Sequence, residues 1–198
     1  MMLQSEERLI EGCCKGDKLA QRNLYEIYSR KMFGVCLRYC NNREEAEEVL
    51  QEGLLKVFNK IGDFKKEGPL ESWIKKIIIN TALDLYRRNK NRQLETEWQE
   101  NINESVEPLI ELKAKELLQI IQTLPIGFRT VFNLYAIEGY NHAEIGNLLS
   151  ISEGTSKSQY SRARQHLIKL IEKEKKAGDV ISEPVNNFNI KSIPLNIS

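Results

Sequence analysis

The sequence predicts an all-α protein: two small helical domains joined by an acidic linker, the second carrying a helix-turn-helix. Three observations lead there. Apolar residues recur at three- and four-residue spacing over long stretches, and no segment shows the strict alternation of a half-buried strand. Only five prolines and eleven glycines are spread over 198 residues, so long helices are permitted. Charge is segregated: residues 1–92 hold 18 basic and 14 acidic groups, whereas residues 93–116 hold seven Glu against two Lys. The formal net charge of +1 hides that pattern, so any nucleic-acid surface must come from local basic segments.

The elements follow in order. A first helix is expected over 6–13 and a second over 18–40, with Leu19, Leu24, Ile27, Met32, Val35, Leu37 and Tyr39 among its apolar positions; Asn41 and Asn42 stop it. A third, over 43–61, carries Ala46, Val49, Leu50, Leu54, Val57 and Phe58 on one side. Gly and Pro mark 62–69 as a loop, and a fourth helix is expected over 70–89. In the acidic stretch Pro108 interrupts, and helix resumes near 109.

Beyond it, 117–124 is helical and Pro125 opens a helix with Phe128, Val131, Phe132 and Tyr135 on its apolar face. Asn141 caps 142–149, Ser150 and Ile151 turn the chain, and Ser152 caps a helix to about 171. These boundaries give domains at 1–92 and 117–172, a linker at 93–116, and a flexible tail at 173–198.

Catalytic classes find no support. The chain lacks G-x-x-x-x-G-K, G-x-S-x-G, G-x-G-x-x-G and H-E-x-x-H patterns. Cys13, Cys14, Cys36 and Cys40 form no C-x-x-C pair and have no histidine near them in sequence, which argues against zinc. Cys36 and Cys40 fit as small core residues, and His142 and His166 as surface residues. The expectation is a protein that is not an enzyme, with no cofactor, no metal and no small-molecule substrate. No apolar run approaches the ~20 residues of a membrane span, and the acidic start lacks a signal-peptide pattern, so a cytoplasmic location is expected.

The last helix carries the most specific local pattern. Ser156, Tyr160, Ala163, Leu167 and Leu170 fall at helical spacing and face inward. Lys157, Ser158, Ser161, Arg162 and Gln165 then face outward, with Arg164 at the edge. Two helices joined by a short turn, the second presenting Ser, Lys and Arg, suit a DNA major groove; a solvated helix face is the bland alternative. In the first domain the outward side of the third helix is strongly acidic through Glu44, Glu45, Glu47, Glu48 and Glu52, which suits a basic protein partner. The fourth carries Lys75, Lys76, Arg87, Arg88, Lys90 and Arg92, which suit a phosphate backbone. Trp73 and Tyr86 among these cations fit stacking on unpaired bases, although by pattern alone Trp73 fits a core position better.

The order of these segments resembles the extracytoplasmic-function (ECF) RNA polymerase sigma factors over about residues 20–172. The matching motifs are 45–52 (EAEEVLQE), 71–77 (ESWIKKI) with 80–84 (NTALD), Leu124-Pro125, and 151–155 (ISEGT) with Lys157, Ser158 and 161–164 (SRAR). The resemblance implies that Glu47, Glu48, Gln51 and Glu52 bind core RNA polymerase. It implies that Phe64, Lys65, Lys66, Trp73, Lys76, Asn80, Arg87 and Arg88 act on melted promoter DNA near −10. It implies that Thr155, Lys157, Ser158, Ser161, Arg162 and Arg164 read duplex promoter DNA near −35. The linker would thread toward the polymerase active-site channel, and an anti-sigma factor would hold the protein inactive.

Six positions depart from the family's usual residues. Lys66, Pro69 and Leu70 stand where Gly, Ser and Phe are more usual, Ser150 where the turn Gly is usual, Ser156 where a buried Val is usual, and Gln159 where Arg is frequent. The competing reading is a helix-turn-helix regulator that binds duplex DNA without being a polymerase subunit, with residues 1–92 as its sensor.

Overall fold

Local capping starts several of the helices. Asp17 accepts from the Leu19 backbone N–H at 2.8 Å at the start of one, and Asn42 accepts from Glu45 N–H at 2.8 Å at the start of the next. The Glu45 carboxylate reaches back to the Asn41 N–H at 2.9 Å, so side chains satisfy two backbone donors at that corner. The computed structural model describes residues 6–93 and 118–178. Within them the elements are α1 (Glu6–Cys14), α2 (Lys18–Tyr39), α3 (Arg43–Lys60), a 3₁₀ turn (Ile61–Asp63) and α4 (Leu70–Gln93). Then come α5 (118–122), α6 (Ile126–Phe132) with a π-helical turn (Asn133–Ile137), α7 (His142–Leu149) and α8 (Glu153–Gly178). No strand occurs among the described residues. The chain divides into two compact units between residues 126 and 127.

In the first unit α2, α3 and α4 pack on one another and α1 lies against α2. Leu24, Met32, Cys36, Val57, Leu70, Ile74, Ile78 and Leu83 are essentially sealed from water, each such aliphatic burial stabilising by about 1.5–3 kcal/mol. Gly53 lets α3 approach α4: a Cβ there would run into Cδ1 of Ile78. Cys36 and Cys40 are buried core residues as expected. Leu19 and Ile27 differ from the rest of the α2 set, being 59 % and 49 % exposed. They fall eight residues apart on one side of α2, which the three-helix packing leaves outward. Helix α4 continues past residue 89 to Gln93.

Helix α5 belongs to this first unit. The Gln122 side-chain amide donates to the Leu37 carbonyl at 3.0 Å, and the contact is buried. Leu37 lies in the last turn of α2, where carbonyls have no intrahelical partner. The amide four residues on, Asn41 N–H, is already committed to Glu45, so Gln122 satisfies an otherwise stranded acceptor. The resumption of helix near 109 and the rest of the linker lie outside the described residues.

In the second unit α7 starts on a complete capping box between Asn141 and Glu144, as its sequence suggests. It ends at Ser150, whose φ of 52° and ψ of 51° are left-handed. The chain then doubles back so closely that a Cβ on Gly146 would sit 2.8 Å from the Ile151 carbonyl oxygen. Helix α8 runs past 172 to Gly178, because 172–177 (EKEKKA) are strong helix formers and Gly178 ends the run. Val131, Phe132, Leu134, Ile145, Leu149, Ala163 and Leu167 form the core.

Candidate nucleic-acid interface

Helix α3 presents Glu44, Glu48, Gln51 and Leu55 to solvent at spacings of four, three and four, so they form one stripe. Of the four residues expected to meet polymerase, Glu48 and Gln51 lie on that stripe without an ion pair among the described residues. Glu47 pairs with Arg43 at 2.8 Å. Glu52 pairs with Lys56 at 2.8 Å and with Arg88 at 3.3 Å, and these cations hold its carboxyl below the usual range. Leu55, 63 % exposed, is the residue that sequence reasoning left out. Its signal was its place four residues after Gln51.

The loop before α4 and the start of α4 line an open concavity of about 410 Å³. Its lining includes Phe64, Lys65, Trp73 and Lys76 from the expected set, together with Asp63, Pro69 and Ser72. Phe64 and Trp73 tilt against each other at 50° with centroids 5.5 Å apart. Trp73 is therefore neither core nor free platform: it is half-buried, with Phe64 against it. Lys66 does not line the concavity; it pairs with Glu7 of α1 at 3.1 Å and holds a left-handed φ of 58°, a conformation that suits the glycine expected there. Asn80 is exposed on α4 seven residues beyond Trp73, on the same side as Trp73 and Lys76. Arg87 is bound to Asp84 at 2.8 Å. Arg88 is turned to Glu52.

On α8 the division of faces holds. Ser156, Ala163 and Leu167 are buried, while Lys157, Ser158, Ser161, Arg162 and Arg164 are exposed and Thr155 is half-buried. Ser152 caps the helix, accepting from Thr155 N–H at 3.0 Å. Lys157 pairs with Glu153 at 2.6 Å, and Ser158 donates its hydroxyl to the Thr155 carbonyl at 2.9 Å. Both are exposed contacts that water or a ligand replaces at little cost.

His142 corrects the sequence reading of it as a surface residue. It is part-buried, stacks on Tyr135 with centroids 4.3 Å apart, and places Nδ1 3.0 Å from the hydroxyl of the fully buried Ser156. Burial and the Lys157 charge hold its pKa below the ordinary histidine value. His166 is exposed as expected.

Comparison with known proteins places both units. A family model described as Sigma-70 region 2 matches residues 24–92, and one described as Sigma-70, region 4 matches residues 114–167. The ECF RNA polymerase sigma factor SigW of Bacillus subtilis is 30 % identical over 177 residues, 82 % of this chain and 95 % of that protein. The RNA polymerase sigma-H factor of Pseudomonas aeruginosa is 27 % identical over 184 residues, 85 % of this chain and 95 % of that protein. Among solved structures, the sigma factor RpoE in complex with the anti-sigma factor NepR from Bartonella quintana has a TM-score of 0.51 at 18 % identity. It covers 76 % of this chain and 96 % of that one, and shows the shared fold. With regions 2 and 4 in order on one helical chain, and SigW matched over nearly its whole length, the chain belongs to the ECF RNA polymerase sigma factors, which direct transcription initiation.

Proposed function

We propose that the two units divide promoter recognition between them, the first binding core polymerase and melted DNA and the second reading duplex DNA. The concavity carries this reading. Phe64 and Trp73 form an aromatic wall, Lys65 and Lys76 line the same space, and about 410 Å³ accommodates a single unstacked base. Lys76 supplies charge for the adjoining phosphate, and Asn80, two turns along α4, offers both a donor and an acceptor to a base edge. The stripe of Glu48, Gln51 and Leu55 meets a basic polymerase surface, with Glu47 and Glu52 beside it. Lys157 and Ser158, near the start of α8, meet base edges, while Ser161, Arg162 and Arg164 follow the backbone and Thr155 supports the first turn. None of these roles asks the chain to catalyse a reaction. It works where polymerase works, in the cytoplasm, and its inhibitor is an anti-sigma factor, as in the complex of RpoE with NepR.

Two variants test this division with purified core polymerase and promoter DNA. Asn80→Ala lowers permanganate reactivity of the melted element and leaves polymerase binding intact. Glu48→Lys weakens polymerase binding by a few kcal/mol, the scale of a close charge pair across an interface. Equal footprints for Asn80→Ala and the parent, or undiminished polymerase capture by Glu48→Lys, sink the respective assignment. Tight duplex binding without polymerase favours the regulator reading instead.

A further inference from the structure

The residues assigned above to two different partners touch each other in the free chain. Along the α3–α4 seam, Asn89 donates to Glu45 at 3.5 Å and Arg88 to Glu52 at 3.3 Å. Lys56 reaches Glu52 at 2.8 Å, Asp84 at 3.4 Å and the Thr81 hydroxyl at 3.3 Å. Glu52 belongs to the acidic group on α3 and Arg88 to the basic series on α4, and both remain open to solvent, at 37 % and 54 % of the side chain. A carboxylate in this position has two cations of its own, and a basic partner must compete with them. Conversely, the Glu52 carboxylate offsets part of the Arg88 charge and holds one edge of its guanidinium, so a phosphate competes with it. Glu48, one turn before Glu52 on the same helix, has no such partner among the described residues.

We propose that Glu52 is an exchange point: docking of a basic polymerase surface on α3 takes this carboxylate from Arg88, and the released guanidinium binds a phosphate of the melted strand. Polymerase docking and phosphate binding then favour each other through one carboxylate, and by linkage the effect is reciprocal. The inference rests on the reading that α3 meets polymerase and α4 meets DNA, and it adds the order of events between them. Its size is that of an exposed ion pair, up to about 1 kcal/mol or roughly five-fold. That suits a device that biases the free protein away from DNA without locking it.

The test uses the full chain and a fluorescein-labelled oligothymidine as the phosphate probe, followed by anisotropy. Glu52→Gln binds the probe several-fold more tightly than the parent. Glu48→Gln, the same change of charge on the same helix without the Arg88 contact, produces a much smaller gain. Adding Arg88→Gln to Glu52→Gln removes the gain, and Arg88→Gln alone binds core polymerase at least as tightly as the parent. Equal gains for Glu48→Gln and Glu52→Gln, or a gain that survives Arg88→Gln, overturn the exchange and reduce it to overall charge. The underlying reading fails differently: there Glu48→Lys and Glu52→Lys both retain full polymerase binding.

Discussion

Ser156 stands where the family usually buries a valine, and it is completely buried. An apolar site that receives a hydroxyl loses roughly 1–3 kcal/mol unless the hydroxyl finds a partner. His142, 14 residues earlier, supplies one at 3.0 Å, and Tyr135 and Tyr160 pack around the imidazole. Burial of the imidazole and the nearby Lys157 charge make the second unit sensitive to acid, with a sign that follows from the His142 shift. Its folded pKa is depressed, so the unfolded chain binds the proton more readily, and the contribution is fully present above the unfolded value near 6.5. It is lost as pH falls from there toward the folded value. Thermal melts of the chain at pH 7.5 and 5.5, followed by a probe in the second unit, check this: the midpoint of that unit drops on acidification, and His142→Gln reduces the drop. Equal drops for both proteins contradict it. Ser150 and Lys66 also depart from family residues, and each holds a left-handed φ that costs an L residue roughly 1–2 kcal/mol.

Among the elements, α8 was the most legible. Its cap, its buried stripe and its outward cations all follow from local spacing, because a cap and a 3.6-residue period are properties of consecutive residues. Arg162 lies on the outer face one turn beyond Ser158. Arg162→Ala therefore weakens binding to all promoters alike and lowers the salt slope by about one counterion, whereas Lys157→Ala changes sequence preference by about 1–3 kcal/mol at one base pair. Promoter-library profiles with purified holoenzyme distinguish them, and a preference that shifts for Arg162→Ala alone reverses the assignment. What the sequence left hidden lies between distant residues. Nothing local to Leu19 and Ile27 says that α2 is packed only on its other sides, and nothing near Glu52 says that Arg88, 36 residues later, returns to it. The Phe64–Trp73 contact was half legible: the residue types stood out, while their joint wall across the loop depended on tertiary structure.

At the scale of the whole molecule, the division between compact units falls at 126/127, whereas the region 4 match begins at 114. Helix α5 thus sits inside the second family segment and inside the first unit. Leu118 and Ile121 are buried there, and Gln122 holds the Leu37 carbonyl. A fragment ending at residue 126 keeps that attachment; one ending at 93 loses a hydrogen bond worth about 1 kcal/mol and the cover of two apolar side chains. Urea unfolding of the two fragments checks this, with the longer more stable by at least the roughly 1 kcal/mol of that hydrogen bond. Equal midpoints would show that α5 contributes nothing to the first unit.

The same attachment sets a condition on grafting promoter specificity between relatives. A hybrid joined at 113/114, where the family segment starts, brings in a foreign α5 and asks its residue at position 122 to fit the end of a resident α2. The incoming parent must carry a side-chain hydrogen-bond donor of similar reach at that position to replace what Gln122 gives the Leu37 carbonyl. A hybrid joined just after residue 126 keeps helix and socket from one parent and transfers the DNA-reading helices whole.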